Sequence, residues 1–269
     1  MSILASKSID GLRKAKRALK STLPRQFHTS PPVSQIYLND PEKGLETSLT
    51  IVNFPSFFSP LKSHQYIFEI TLCIAEGEIF WKKKYEVDRH CSREIILNEL
   101  EIGIPNSMLP KLGIVSVGLK PRSPIYYGDR LLGRITPHFF VRYTSSIHDS
   151  VAVVHPQTFL NVRHVPGINW ASNAILETKD LTHIFLYQMN PTKKPVQTAS
   201  ILIDVETDEE ICRQVSDRSF ASVHQTVWEA SHFQDHPRIS VAIENMPAEN
   251  GKPIIFGFFR DKSFFAFHG

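Results

Sequence analysis

The sequence predicts an all-β protein: a tandem pair of Ig-like antiparallel β-sandwiches preceded by an N-terminal amphipathic helix. Three observations predict it. Beyond residue 43 the chain is a succession of short runs rich in Val, Ile, Phe and Thr, with Pro, Gly, Asn and Asp at their ends. No segment there holds a helical stripe over more than about two turns, so the runs do not alternate with helices as a βαβ sheet requires. The order of the runs also repeats, which predicts two copies of one domain.

The first element is the helix, residues 1–26. Leu4, Ile9, Leu12, Ala15, Leu19 and Leu23 gather on one side at helical spacing, and Lys7, Arg13, Lys14, Arg17 and Lys20 gather opposite, with Lys16 at the border. Pro24 ends the run, because proline disfavours helical geometry in the residue before it. These 26 residues hold seven basic side chains against the single acid Asp10, or +6, which leaves −3 for the rest of a chain whose formal charge is +3. The basic character therefore belongs to the helix. A slightly acidic body argues against a nucleic-acid partner, which needs a basic face on the folded domain. Leu4, Ile9, Leu12, Arg13, Lys16, Arg17, Leu19 and Lys20 are the residues expected to dock on an anionic membrane surface, on a partner, or on the protein's own body. The same composition fits a cleaved organelle-targeting peptide, with Arg25 to Ser30 resembling the spacing at which mitochondrial presequences are trimmed.

Residues 27–43 hold Pro31, Pro32 and Pro41 without a sustained period, and read as a linker. The first sandwich follows over residues 44–160. Its expected strands are Leu49–Asn53, Tyr66–Ala75, Ile79–Val87, Glu94–Leu97, Ile114–Leu119, Arg134–Tyr143 and Val151–His155. The second sandwich, residues 161–269, is expected to hold His183–Gln188, Thr198–Glu206, Ile211–Val215, Ser222–Trp228, Ile239–Glu244, Ile254–Arg260 and Phe264–His268. Five pairs correspond in order: Leu49–Asn53 with Ile184–Gln188, Tyr66–Ala75 with Val196–Glu206, Ile114–Val117 with Ile239–Ala242, Arg134–Tyr143 with Pro253–Arg260, and Ser150–Pro156 with Ser263–Gly269.

In the second series, a strand ends in Asn (Met189-Asn190-Pro191), an alternating strand follows (Ser200 to Val205), then a Ser-Val strand (Ser240-Val241) and a Pro-led strand ending in Arg (Pro253 to Arg260). That pattern resembles the small β-sandwich proteins typified by the sensory rhodopsin transducer of cyanobacteria. The resemblance covers about one copy. It implies a sandwich that binds partners or small ligands and performs no chemistry; the doubling and the basic helix depart from it.

The motif search supports a binding protein. There is no Gly-x-Ser-x-Gly elbow, no phosphate loop and no dinucleotide turn, and no cofactor is implied. Cys73, Cys91 and Cys212 have no metal-type spacing and form no disulfide scaffold. The longest apolar stretches are strand-sized, short of the roughly 20 residues that span a bilayer. Together these predict a cytoplasmic protein, peripheral to a membrane through its helix, with mitochondrial import as the alternative. His232 and His236 stand four apart around Asp235, but Pro237 and the missing helical stripe make this a polar loop. His90-Cys91 are neighbours and point opposite ways if extended, and Asp208 to Glu210 reads as a hairpin tip.

The candidate ligand residues are His138, Arg142, His155 and Gln157 in the first copy, Arg260 and His268 in the second, and Trp170 between them. Period two sets His138, Phe140 and Arg142 in a row on one strand face. Arg and His donate to sugar hydroxyls or carboxylates, and Trp170, Tyr126 and Tyr127 offer flat apolar surfaces. The expectation is a non-enzymatic tandem sandwich recognising a carbohydrate-like ligand or a protein partner. The rival is a metal-assisted enzyme with a His-rich site between the halves. Oligomeric state has no signal in the sequence.

Overall fold

The computed structural model describes residues 25–26 and 126–127 as backbone, and residues 31–58, 66–121, 136–156, 158–160, 162–248 and 251–268. The chain runs β1 (Arg25–Gln26), β2 (Val33–Leu38), β3 (Leu45–Val52), α1 (Pro55–Phe58), β4 (Tyr66–Ile74), β5 (Ile79–Glu86), β6 (Ser92–Ile96) and α2 (Glu99–Ile102). It continues through β7 (Leu112–Pro121), β8 (Tyr126–Tyr127), β9 (His138–Ser145), β10 (Val151–Val154) and β11 (Thr158–Phe159). The second half holds β12 (Trp170–Ala171), β13 (Leu176–Glu177), β14 (Leu181–Met189), β15 (Val196–Asp204), β16 (Glu210–Arg218), β17 (Val223–Glu229), β18 (Arg238–Glu244), β19 (Ile254–Phe259) and β20 (Phe264–His268). The protein is all-β, built of antiparallel sheets.

The first half pairs a four-stranded sheet, β10-β9-β3-β6, with a five-stranded one, β11-β2-β7-β4-β5. Alternation explains the packing: Tyr66, Phe68, Ile70 and Leu72 of β4 are buried, while Ile67, Glu69 and Thr71 between them are half-buried. Two tyrosines tie the sheets together, the Tyr143 hydroxyl donating to the Ile36 carbonyl at 2.7 Å and that of Tyr37 to Leu97 at 3.3 Å. In the second half, β17-β14-β19-β20 faces a sheet in which β12 and β13 both pair with β18, followed by β15 and β16. Ile184, Leu186, Trp228 and Ile255 of the one pack on Leu202, Ile239, Val241 and Ile243 of the other.

The strand orders of the two halves coincide. Sheet β10-β9-β3-β6 has its counterpart in β20-β19-β14-β17, and β2-β7-β4-β5 in β12/β13-β18-β15-β16. Even the register slips match: β4–β5 shifts between Leu72 and Cys73, and β15–β16 between Leu202 and Ile203. Such a bulge bends the strand and sharpens its twist. At the first of them Gly113 is required by space, since a Cβ there would lie 2.2 Å from the Cys73 carbonyl oxygen.

The halves are fused end to face. In sheet β17-β14-β19-β20 the central strands β14 and β19 are buried on both sides, and the sheet's second face (Phe185, Tyr187, Phe256, Phe258, Phe264) belongs to the core of the first half. Phe256 sits edge-on to Tyr143 with ring centres 5.0 Å apart. The edge strands β10 and β20 lie alongside one another, and turns of the first sandwich add further contacts: Lys43 Nζ lies over Phe185, the Phe264 amide donates to Ser150 Oγ, and the Val223 amide donates to the Ala75 carbonyl. Two-sided burial explains why β14 and β19 read as unbroken apolar runs, Ile184-Phe-Leu-Tyr and Ile254-Ile-Phe-Gly-Phe-Phe.

Two expectations are corrected. Residues 27–43 are not a linker throughout: Val33–Leu38 is a wholly buried strand inside the five-stranded sheet, between β11 and β7. Its polar residues are satisfied locally, Ser34 Oγ lying 2.7 Å from Ser116 Oγ and Gln35 Oε1 accepting from the Ile36 amide. The first sandwich therefore starts before residue 44. The segment read as helix 1–26 ends instead in β1, which pairs with β8; the helix itself falls on residues 1–24, outside the described residues. Among the described residues no helix is long and apolar enough to cross a membrane.

Candidate functional site

The four-stranded sheet of the first half turns its outer face away from the core. Its register defines the surface row by row. Val153, Arg142, Ser48 and Ile96 form one transverse row, Phe140, Thr50 and Glu94 the next, and His138, Val52 and Ser92 the last. Large apolar side chains stand exposed on it: Val153 at 59%, Val151 at 51% and Phe140 at 41%, with Ile96 beside them. Between the apolar positions Arg142 Nη1 donates to Glu94 Oε1 at 3.2 Å, and Ser48 Oγ to the same oxygen at 3.3 Å. Towards one end the face dips into a groove of about 330 Å³ lined by Glu46, Ser48, Glu94, Arg142, Thr144 and Asp149.

At the other end, remote from the second half, rings converge from four separate segments. Phe54 lies 4.2 Å from His138 between ring centres, Phe57 4.7 Å from His90, and Phe140 5.7 Å from His155. Their placement follows from polar bonds beneath them. Asn53 Nδ2 donates to the carbonyls of Val87 and Asp88, and the Ser56 hydroxyl donates to Asn53 O while accepting from the His90 amide at 2.8 Å. That lattice holds α1 against the β5–β6 turn and holds His90 in a left-handed conformation, φ 59°. Phe57 is left 57% exposed. Burial, and secondarily the neighbouring His155, pull the His138 pKa below its ordinary value, so this imidazole is neutral at pH 7.

Of the seven residues expected to bind ligand, the structure groups three, His138, Arg142 and His155, on or beside this face. The others scatter. Trp170 lines a separate groove of about 360 Å³ on the second half, beside Arg213, which is held by Glu210 and Glu244. Arg260 is at the cleft between the halves, His268 ends β20 opposite Ile254, and Gln157 lies outside the described residues. The separation follows from the faces involved: Arg142 stands on the open outer face of its sheet, whereas β19, the strand that corresponds to β9, lies in a sheet packed on the first half, and Arg260 follows it at the cleft. Phe54 and Phe57 have no place in the sequence reading, and His90 enters it only as an extended pair with Cys91; the three come from the start of a four-residue helix and from a turn, where no periodic signal exists.

His232 and His236 do not converge. The His236 ring bonds Asp204 Oδ2 at 2.5 Å, and that bond is the chief cause holding the Asp204 carboxyl below its usual pKa. His232 Nδ1 instead accepts from the Glu229 amide at the turn Ala230–His232. Among the described residues no group of three or more His, Cys, Asp or Glu is placed to hold a metal ion. The three cysteines are free thiols.

No protein-family model matches the chain, and no curated protein matches it. Among solved structures it is similar to two glycosyl hydrolase family 2 members from Bacteroides cellulosilyticus, each 9% identical over 87% of this chain, with TM-scores of 0.20 and 0.21. A β-glucuronidase from glycoside hydrolase family 2 is similar at 9% identity over 92% of this chain, TM-score 0.21. The chain spans about a quarter of the length of these proteins, 25–27%.

Proposed function

We propose that this is a non-enzymatic binding protein, a duplicated Ig-like sandwich that docks a protein partner on the outer face of β10-β9-β3-β6. One observation carries the reading. The counterpart face in the second half, on β17-β14-β19-β20, is buried against the first half, whereas the first half's own face is open and holds Phe140, Val151, Val153 and Ile96 exposed. Large apolar side chains standing exposed on one sheet face, with the Arg142–Glu94 pair set among them, fit an interaction surface of mixed apolar and polar character. The duplication is supported by strand orders that correspond apart from β11 and by the matching register slips. Binding without chemistry is also what the resemblance to sensory-rhodopsin-transducer-like sandwiches implies. Residues 1–26 keep their reading as a cationic docking segment.

The groove beside Arg142 favours a second reading, a carbohydrate-like ligand, since Ser48, Thr144, Glu46 and Asp149 offer hydroxyl-matching donors and acceptors. Proximity labelling in the native source, with wild type, the F140K/V153K double variant and Phe220→Lys as an exposed control elsewhere, tests the first reading. Neighbours labelled by wild type and the control but lost from the double variant are the expected result. An unchanged set would refute it, and binding on a glycan array abolished by Arg142→Ala would transfer the face to the second.

A further inference from the structure

We infer that the cleft between the two halves binds a small organic anion with an apolar body. This cleft, about 540 Å³, is separate from the open face and from every residue argued for it. Its walls come from both halves: the turns at Lys43 and His148 on one side, and β14, β17 and the β19–β20 hairpin on the other. Phe185 and Phe258 form an apolar floor, their rings edge to face at 5.2 Å. Ligand pockets favour such composition, a mostly apolar cavity with a few placed polar groups at a junction of domains.

The charge pattern sets the ligand's sign. Arg260 and Lys262 project at the rim with no hydrogen bond or ion pair from either side chain among the described residues, and both are exposed. Lys43 Nζ adds a third cation directly above the Phe185 ring, 4.7 Å from its centre. Among the lining residues these three cations stand against two acids: Glu42, which meets Lys111, and Glu229, which keeps its charge while accepting from the His232 amide; Asp261, outside the lining, is likewise charged and accepts from the amide and hydroxyl of Ser263. Asp40 neutralises Lys43 in part, at 2.9 Å. Two uncommitted cations over a phenylalanine floor match a carboxylate or sulfonate on an aromatic or aliphatic body; a neutral body of the same shape gains only the floor. His148 and His183, also in the walls, add imidazole donors.

The full chain titrated with 1-anilinonaphthalene-8-sulfonate tests this, with decanoate and decanol as competitors. The expected result is one bound equivalent, displaced by decanoate but not by decanol at equal concentration. The R260Q/K262Q double variant, altered only at exposed positions, weakens binding at least tenfold. The F140K/V153K variant leaves it unchanged, so that failure of the cleft and failure of the open face are read separately. Full-strength binding by R260Q/K262Q, equal displacement by decanol, or loss of binding in F140K/V153K would each overturn the inference.

Discussion

Replacing Phe256 by alanine should destabilise both halves together. The side chain is fully buried and touches Tyr143 of the first half as well as Tyr187, Phe258 and Phe264 of its own sheet. Burying a phenylalanine removes roughly 150–200 Å² from water, which at about 25 cal/mol per Å² amounts to about 4–5 kcal/mol. That agrees with the roughly 3–5 kcal/mol typical of Phe→Ala in a core. For a domain of this size each kcal/mol moves the melting temperature by about 2–4 °C, so F256A should melt roughly 6–20 °C lower. Differential scanning calorimetry is the assay, because it separates linked from independent units. The shared core predicts one endotherm in wild type and one, displaced, in the variant. Two endotherms of which only one moves, or a shift below about 3 °C, would refute the claim that the central sheet serves both cores.

Two further outcomes follow from buried and paired charges. Arg218 is 1% exposed, with Nε on Thr198 Oγ1, Nη2 on Ser216 Oγ and Nη1 without a hydrogen-bond partner among the described residues, and burial pulls its pKa down to about 9; Arg218→Met should therefore raise stability in urea unfolding by about 1–3 kcal/mol, and a loss of stability would show that the hydroxyl bonds outweigh the desolvated charge. The Asp204 carboxyl, depressed by His236 and by the amides of Glu206 and Thr207, contributes stability that is present above the ordinary carboxylate pKa and lost as pH falls through the lower folded value. Asp204→Asn should consequently melt lower than wild type at pH 7 and converge with it towards pH 3; parallel curves across that range would rule the linkage out.

The fourteen strands read from runs rich in Val, Ile, Phe and Thr all coincide with or overlap observed strands, because each run carries side chains that the core must bury and turn residues at its ends. Strand β2 escaped for two reasons. It is buried on both faces, so Val33-Ser-Gln-Ile-Tyr-Leu shows no alternation, and the prolines at 31, 32 and 41 look like linker punctuation when they are strand boundaries. The stacking of the halves was written in the unbroken apolar runs of β14 and β19, yet an apolar run alone does not say what covers its second face. The row His138, Phe140, Arg142 was legible because period two is a local property. Phe54, Phe57 and His90 reach it through the Asn53 and Ser56 bonds, which depend on chain segments some 34 residues apart.

The end-to-face fusion makes neither sandwich portable. A chain cut near residue 160 would uncover Phe185, Tyr187, Phe256, Phe258 and Phe264 on one fragment and Tyr143 on the other. Excised singly, each fragment would carry a sticky aromatic scar, so expression trials, fusions and transplantation into other architectures have to treat the pair as one indivisible cassette.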